Sequence, residues 1–327
     1  MLELQVSHDT SYAYTTPVSL AHHLAHLQPL QDAQQQLLSH TLTIEPAPDN
    51  RRDSPDAQGN VQCHFSLAKP HRQLCVRATS RVRVQPRFAA LDAAASPPWP
   101  AVAARLRYVA RGPFEPALEF ALPSPYVPRL TALRAYGAPT FTAGKPVAVA
   151  ALELMHRIHA DLRYVSRSTD IGTPLALVLQ QRRGVCQDFA HLMVGVLRMA
   201  GLPARYVSGY LLTQAPAEPH DHGQGSAAAG RAMQGADASH AWVQAWCPGT
   251  PGVPADGWLD LDPTNDLVPG SGHVRLAVGR DFGDVTPLRG VIRGGGRHAL
   301  GVAVSTQLWR GGPGLPFTQI NPMESAR

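Results

Sequence analysis

The sequence predicts an α+β protein: an amino-terminal β-sandwich domain, followed by a second domain of helices and strands. Alternating apolar and polar residues, typical of half-buried strands, recur through residues 1–86. The first long segment with apolar residues at helical spacing comes later, at residues 146–162. With 327 residues and a 44% apolar composition, the chain can bury two cores of ordinary size.

The first 86 residues contain several strand-like runs, namely LELQVSH, SYAYT, HTLTIEP, VQCHFSL and LCVRATSRVRVQ. Short strands separated by turns favour a sandwich over residues 1–86. Residues 87–127 are rich in proline and alanine, which predicts a linker with short helical pieces. The second domain then comprises residues 128–327.

Helices and strands alternate in this second domain. A helix is predicted at 146–162, and another follows Gly184 and ends near Gly201. Three strands are predicted in ARYVSGYLL, SHAWVQAWC and GWLDLD. We predict that residues 213–238 form a loop that contributes nothing to a core. Residues 288–308 are predicted to form a hairpin that turns at a glycine triplet.

Composition excludes several classes of function. The amino terminus lacks the features of a signal peptide, and no window approaches 18 uninterrupted apolar residues, so we expect a cytoplasmic protein without a membrane partner. The 27 arginines and two lysines are scattered, and aromatic residues make up only 6% of the chain. Both observations argue against a nucleic-acid partner.

The four cysteines show neither a CxxC pair nor zinc-ribbon spacing, so we expect them to be thiols. We also expect no metal and no cofactor. Cys63 and Cys75 lie in strand-like runs and are interpreted as core residues. Cys247 belongs to the small-aliphatic face of its strand and is interpreted in the same way. The segment His220-Asp221-His222 could bind a divalent ion, but could equally be solvated.

Cys186 lies at the predicted start of a helix, in the stretch RGVCQDFAH. The free N–H groups and the positive end of the helix dipole favour a thiolate there. Cysteines are nevertheless more often buried and inert, so a nucleophilic role requires a histidine and an orienting carboxylate in suitable segments.

Two later segments supply these groups. Strand alternation places His240, Trp242 and Trp246 on one face of SHAWVQAW. Asp260 and Asp262 share a face of GWLDLDP, and either could reach the far ring nitrogen of His240 if the two strands are antiparallel neighbours. Spacing alone does not choose between these two aspartates.

The segments RGVCQDFAHLMVGVLRMAGLPARYVSGYL, SHAWVQAW and GWLDLDPTND, in this order, strongly resemble the bacterial transglutaminase-like superfamily. The first domain, with SHDTSYAY and a late Gly59-Asn60 turn, resembles the β domain that precedes many bacterial members. The resemblance implies a papain-like core, in which the helix that bears Cys186 packs on an antiparallel sheet. It also implies that Cys186 is the nucleophile, His240 the base and Asp262 the orienting carboxylate.

The resemblance implies acyl transfer on amide bonds of a peptide or protein through a thioester, ending in hydrolysis or transamidation. The backbone N–H of Cys186 and the side chain of Gln180 or Gln181 are the candidates for oxyanion stabilisation, and Gln187 is a weaker one. Trp242 and Trp246 are interpreted as walls of a substrate groove, with core packing as the alternative. A binding or scaffold module that has lost turnover is the alternative function.

Overall fold

The computed structural model describes residues 1–107, 109–112, 114–213, 233–234 and 239–311. Its strands are β1 Leu2–Ala25, β2 Gln35–Glu45, β3 Asn50–Pro55, β4 Val61–Leu67, β5 His71–Val84, β6 Arg163–Tyr164, β7 Arg183–Gly184, β8 Ala204–Leu211, β9 His240–Trp246, β10 Trp258–Leu261, β11 His273–Gly279, β12 Leu288–Gly294 and β13 His298–Leu308. Its α-helices are α1 Trp99–Ala104, α2 Thr131–Gly137, α3 Val147–Asp161, α4 Leu175–Gln181 and α5 Cys186–Met199. Within the described residues, no helix has the length and apolar character needed to cross a membrane.

The amino-terminal unit is a seven-stranded antiparallel sheet built around β1. Strands β4 and β5 lie end to end along one edge of β1, and β12 and β13 lie end to end along the other. Strands β2 and β3 pair with the outer edges of β5 and β4. Side chains from both ends of these long strand paths, including Phe65, Leu67, Leu74 and Val76, form one buried cluster. The two halves of the sheet therefore share a core, as the layers of a sandwich do.

Residues 288–308 do not form the predicted hairpin. Leu288 lies opposite Ala25 and Leu308 lies opposite Leu4, so β12 and β13 run in the same direction along β1. The glycine triplet between them has φ angles of 94°, 87° and 62°, which glycine adopts without strain. It forms an irregularity beside β1 instead of a hairpin turn. A strand irregularity and a hairpin turn require the same backbone freedom, so the glycines alone did not distinguish between them. This segment thus belongs to the amino-terminal sheet, although the sequence placed it in the second domain.

The segment 87–127, predicted as a linker, packs against the second domain. It contains α1 and a short 3-10 helix at Pro116–Ala121, in agreement with the predicted helical pieces. Its side chains Val102, Phe120 and Val127 are buried in the core of the second domain. Because this apolar burial favours one position of the segment, it is part of the domain rather than a free connection.

The core of the second domain is a four-stranded antiparallel sheet in the order β10-β9-β8-β11, with α5 packed against it. Every residue of α5 from Asp188 to Arg198 is buried, so this helix lies at the centre of the domain. The chain leaves it through Gly201, whose φ of 82° is typical of a helix end. The α+β class, with a cysteine-bearing helix on an antiparallel sheet, is confirmed.

The two units meet in an apolar interface. Leu4, Val6 and Val84 of the amino-terminal sheet share a buried cluster with Tyr210 of β8 and Val274 of β11. The amino-terminal sheet therefore covers one face of the core sheet, which positions both units relative to each other.

A buried polar network lies in the same interface. The Arg275 guanidinium of β11 contacts the Asp260 carboxylate of β10 at 2.9 Å and that of Asp32 at 2.8 Å. Gln35 donates from Nε2 to the Arg275 carbonyl at 2.7 Å and accepts from the Arg275 N–H at 2.8 Å. Since Asp260 is fully buried, its charge depends on this arginine for compensation.

Replacing Arg275 with methionine leaves the Asp260 carboxylate buried without its cation. We expect the free energy of unfolding in urea to fall by about 3–5 kcal/mol, the usual cost of breaking a buried ion pair. Arg51→Met is the matched control, because Arg51 pairs with Asp53 on the surface. It should cost less than about 1 kcal/mol. Equal losses in both variants would contradict this account of the network.

Candidate active site

The local backbone places Cys186 at the first position of α5. Strand β7, directly before it, pairs with β6, and this pairing holds the approach to the helix. The Asp188 carboxylate accepts from the Val185 N–H at 2.8 Å and from the Thr169 hydroxyl at 2.6 Å, which caps the helix start. Gly184 is required here, because a Cβ at this position would lie 2.6 Å from the Asp188 Oδ2 atom.

His240, the first residue of β9, is buried and pairs with Asp262. Its Nε2 atom lies 2.8 Å from Asp262 Oδ2, whereas its Nδ1 atom is buried and has no hydrogen-bond partner in the described part of the chain. Nδ1 is thus the ring nitrogen available to the Cys186 thiol. Burial opposes protonation of His240, but the Asp262 charge and hydrogen bond, together with Cys186, outweigh it and raise the pKa of His240 to about 10.

The structure pairs His240 with Asp262 and gives Asp260 a different role. Strands β9 and β10 are antiparallel neighbours, as the sequence required for either pairing. Asp260 accepts instead from Gln244 Nε2 at 2.6 Å and from Trp242 Nε1 at 3.3 Å, on the side of Arg275. The position of Asp262, one residue beyond β10, brings its carboxylate to the start of β9.

Asp262 is itself held by the turn that follows it. Its Oδ1 atom accepts from the backbone N–H groups of Thr264 at 3.0 Å and Asn265 at 3.2 Å. Burial alone would raise the pKa of Asp262, but the charge of His240 and the hydrogen bonds from His240 and His273 hold it well below its usual range. The carboxylate therefore stays ionised and can stabilise an imidazolium.

Sequence reasoning missed two residues of this site. The Asn265 side chain donates from Nδ2 to Asp262 Oδ2 at 2.9 Å and lies 3.4 Å from His240 Nε2. His273 of β11 places its Nε2 atom 3.4 Å from the same carboxylate oxygen. Asn265 could have been found as part of the turn motif DPTN, since such turns direct polar side chains back to the aspartate. His273 has no comparable local signal.

The predicted substrate groove is corrected by the burial of both tryptophans. Trp242 is 0% exposed, and a Cβ on Gly209 would lie 2.3 Å from its ring. Trp246 is 3% exposed and donates from Nε1 to the Asp256 carbonyl at 3.2 Å. Both rings therefore fill the interior. The prediction was wrong because strand alternation shows which face a side chain lies on, but not whether another part of the chain covers that face. Cys247 is also buried, as predicted.

The glutamine candidates for oxyanion stabilisation lie exposed at the end of α4. Gln181 accepts from Arg183 Nε at 3.3 Å, and within the described residues neither Gln180 nor Gln181 is hydrogen-bonded to Cys186 or His240. The backbone N–H of Cys186 lies in the first turn of α5, where N–H groups lack partners within the helix. The oxyanion assignments remain predictions.

Other predicted features have different outcomes. All four cysteines are free; Cys63 lies buried in its strand as expected, whereas Cys75 is only half-buried. The segment His220-Asp221-His222 lies outside the described residues, as does most of the 213–238 loop.

A polar cavity of about 250 Å³ borders the site. Its lining includes Asn265, which contacts the His240–Asp262 pair, and Phe189, which lies one turn after Cys186 on α5. Tyr164 and Arg163 of β6 also line it, beside the strand that leads into Cys186. A larger cavity of about 430 Å³ lies at the opposite end of α5, around Met199.

The overall architecture is that of a papain-like protein of the transglutaminase-like class. A crystal structure of a Cytophaga hutchinsonii protein, described as a candidate cysteine protease, has the same fold, with a TM-score of 0.68 and 19% identity; the match covers 98% of this chain and 95% of that one. Two family models match as well: the bacterial transglutaminase-like N-terminal region over residues 4–83 and the transglutaminase-like superfamily over residues 134–263. The chain belongs to the bacterial transglutaminase-like superfamily.

Two relatives in sequence extend over most of the chain, and a third covers a shorter part of it. An uncharacterized protein of Mycobacterium tuberculosis is 39% identical over 292 residues, which cover 88% of this chain and 87% of that protein. An uncharacterized protein of Mycobacterium leprae is 33% identical over 307 residues, with 93% and 98% coverage. A protein-glutamine gamma-glutamyltransferase of Pseudomonas aeruginosa is 30% identical over 127 residues, 38% of this chain and 17% of that protein.

We expect the positive charge of His240 to make Cys186 reactive at mildly acidic pH. The pKa of His240 is raised to about 10, so the imidazole that interacts with Cys186 is still protonated at pH 6. Iodoacetamide should therefore alkylate Cys186 at pH 6, as measured by intact mass. In His240→Ala, the reaction should be absent at pH 6. The variant should be alkylated only near pH 8.5, about where an ordinary thiol ionises. A wild-type thiol that is inert at pH 6 would contradict the pairing.

Proposed function

We propose that the protein is a cysteine-dependent acyl-transfer enzyme acting on amide bonds of peptides or proteins. The observation that carries this proposal is the buried His240–Asp262 pair, 2.8 Å apart, whose free Nδ1 atom is available to a thiol at a helix amino terminus. A nucleophile, a base and a group that orients the base are the parts that covalent catalysis requires.

In the acylation step, the Cys186 thiolate attacks the amide carbonyl carbon, and the carbonyl electron pair moves to its oxygen. Donors near the helix start, foremost the Cys186 N–H, would stabilise this oxyanion. As the carbon–nitrogen bond breaks, His240 gives its Nδ1 proton to the leaving amine. The products are a thioester on Cys186 and a neutral imidazole.

The second step uses the change in charge that acylation produces. The thiolate contributes to the raised pKa of His240, and this contribution disappears when the sulfur becomes a thioester. With this contribution gone, the pKa of His240 is lower and the ring stays neutral after acylation. The neutral ring then accepts a proton from the water or the amine that attacks the thioester. Water yields hydrolysis and an amine yields transamidation, and either reaction regenerates the thiolate and the imidazolium.

The cavity of about 250 Å³ is the proposed site for the part of the substrate next to the scissile amide. Arg163 is an exposed residue of its lining, and it forms no ion pair within the described residues. The side chains of Tyr164 and Phe189 give the cavity aromatic walls. A free cation in a polar cavity favours a substrate with an acidic group near the reacting carbonyl.

A mass-spectrometric experiment tests the acyl-transfer proposal. Incubation with a peptide-amide library should add the mass of an acyl group, and this adduct should be absent in Cys186→Ala and removed by hydroxylamine. Added amines would then show the partition between hydrolysis and transamidation. Peptide binding with neither adduct nor product would contradict the proposal and support the alternative of a binding module without turnover.

Arg163→Gln tests the role of the cavity. For peptides with an acidic residue beside the scissile amide, we expect KM to rise about two- to fivefold, the range of a partly exposed ion pair. For neutral peptides, KM should stay constant. Arg52→Gln, on the exposed strand β3, is the matched control and should change neither value. Equal effects on acidic and neutral peptides would contradict recognition of an acidic group.

A further inference from the structure

We propose that His273 is a positioning residue of this active site: it donates to the carboxylate oxygen that also receives His240, and so divides the charge of Asp262 between two imidazole rings. This role rests on the proposed function, because it concerns the proton that His240 transfers. The family match over residues 134–263 ends before β11, which carries this histidine.

The distances define the sharing. Asp262 Oδ2 lies 2.8 Å from His240 Nε2, 3.4 Å from His273 Nε2 and 2.9 Å from Asn265 Nδ2. Since an ionised carboxylate only accepts hydrogen bonds, both imidazole rings must present an N–H to it. The shorter contact makes His240 the main partner and leaves His273 as a weaker second donor.

His273 is fixed from several sides and cannot easily turn away from the carboxylate. It is 3% exposed, and its ring lies edge-on to Trp242, with 5.4 Å between the ring centroids. Its backbone carbonyl accepts from Arg87 Nη1 at 2.9 Å, and Arg87 Nη2 donates to Gln35 Oε1 at 3.0 Å. The interface with the amino-terminal unit thus holds the strand that carries the second histidine.

The charges around His273 keep it neutral. Burial is the largest influence and lowers the pKa of His273; the carboxylates of Asp262 and Asp260 act in the opposite direction, and His240 adds to the lowering. Arg275, on the same strand, neutralises much of the Asp260 charge. A neutral ring donates one hydrogen bond without competing for the catalytic proton.

Removal of this donor has a defined consequence. In His273→Phe, the Asp262 carboxylate loses one hydrogen-bond donor, and its charge then acts more strongly on His240. The pKa of His240 should therefore rise by about half a unit to one unit. A proton that is held more tightly is transferred less readily to the leaving amine, so kcat should fall while KM stays constant. A purely structural role would reduce stability without moving the titration.

The experiment follows the His240 titration by 15N-histidine NMR between pH 5 and 11, with the signals assigned through His240→Ala. His273→Phe should move the titration upward, and His273→Gln should restore it, because the Gln amide N–H reaches about as far as His Nε2. The matched control is His8→Phe, since His8 is also buried but is hydrogen-bonded to Tyr210, away from Asp262. It should leave the titration unchanged.

The same titration in wild type, His273→Phe and His273→Gln would overturn the proposal, as would equal shifts in both variants. If His273→Phe does not fold, His273→Asn takes its place, because its shorter amide does not reach the carboxylate. Failure of the proposed function would be seen separately, as a wild-type Cys186 that forms no acyl adduct. The NMR comparison would still decide the role of His273 in that case.

Discussion

The buried carboxylate of Asp262 is the interaction on which the site depends. Within the described residues it accepts from the side chains of His240, His273 and Asn265 and from the N–H groups of Thr264 and Asn265. A fully buried negative charge is costly unless hydrogen bonds and a positive charge compensate it. The favourable solution here is a protonated His240. The carboxylate thus holds the turn after β10 against β9 and β11, and it also keeps a positive charge on the histidine that interacts with Cys186.

The amino-terminal unit is part of this arrangement rather than an appendage. Its sheet covers the face of the core sheet opposite α5, and Asp32, Gln35 and Arg87 contact the strand that carries His273 and Arg275. Buried polar contacts of this kind specify one relative position of two surfaces more strictly than apolar contact does. The interface therefore supports the geometry behind Asp262 as well as the stability of the fold.

Most elements that carry the site could be predicted from local patterns. The apolar stripe and Gly201 gave the helix that begins at Cys186, and strand alternation separated His240 from Cys247. The glycine triplet before residue 298 misled, because its backbone freedom serves an irregularity in a long strand as well as a hairpin turn. The segment 87–127 looked like a linker because proline and alanine report local backbone preference and not burial.

The sequence by itself determined which residues are candidates for chemistry and which periodicity each segment has, because both depend on residue type and spacing along a few turns or strand steps. Only the tertiary structure decided between Asp260 and Asp262, brought His273 to the carboxylate, and buried Trp242 within the interior. These outcomes depend on which elements become neighbours and which faces are covered. Contacts between residues distant in sequence set both, and no local pattern encodes them.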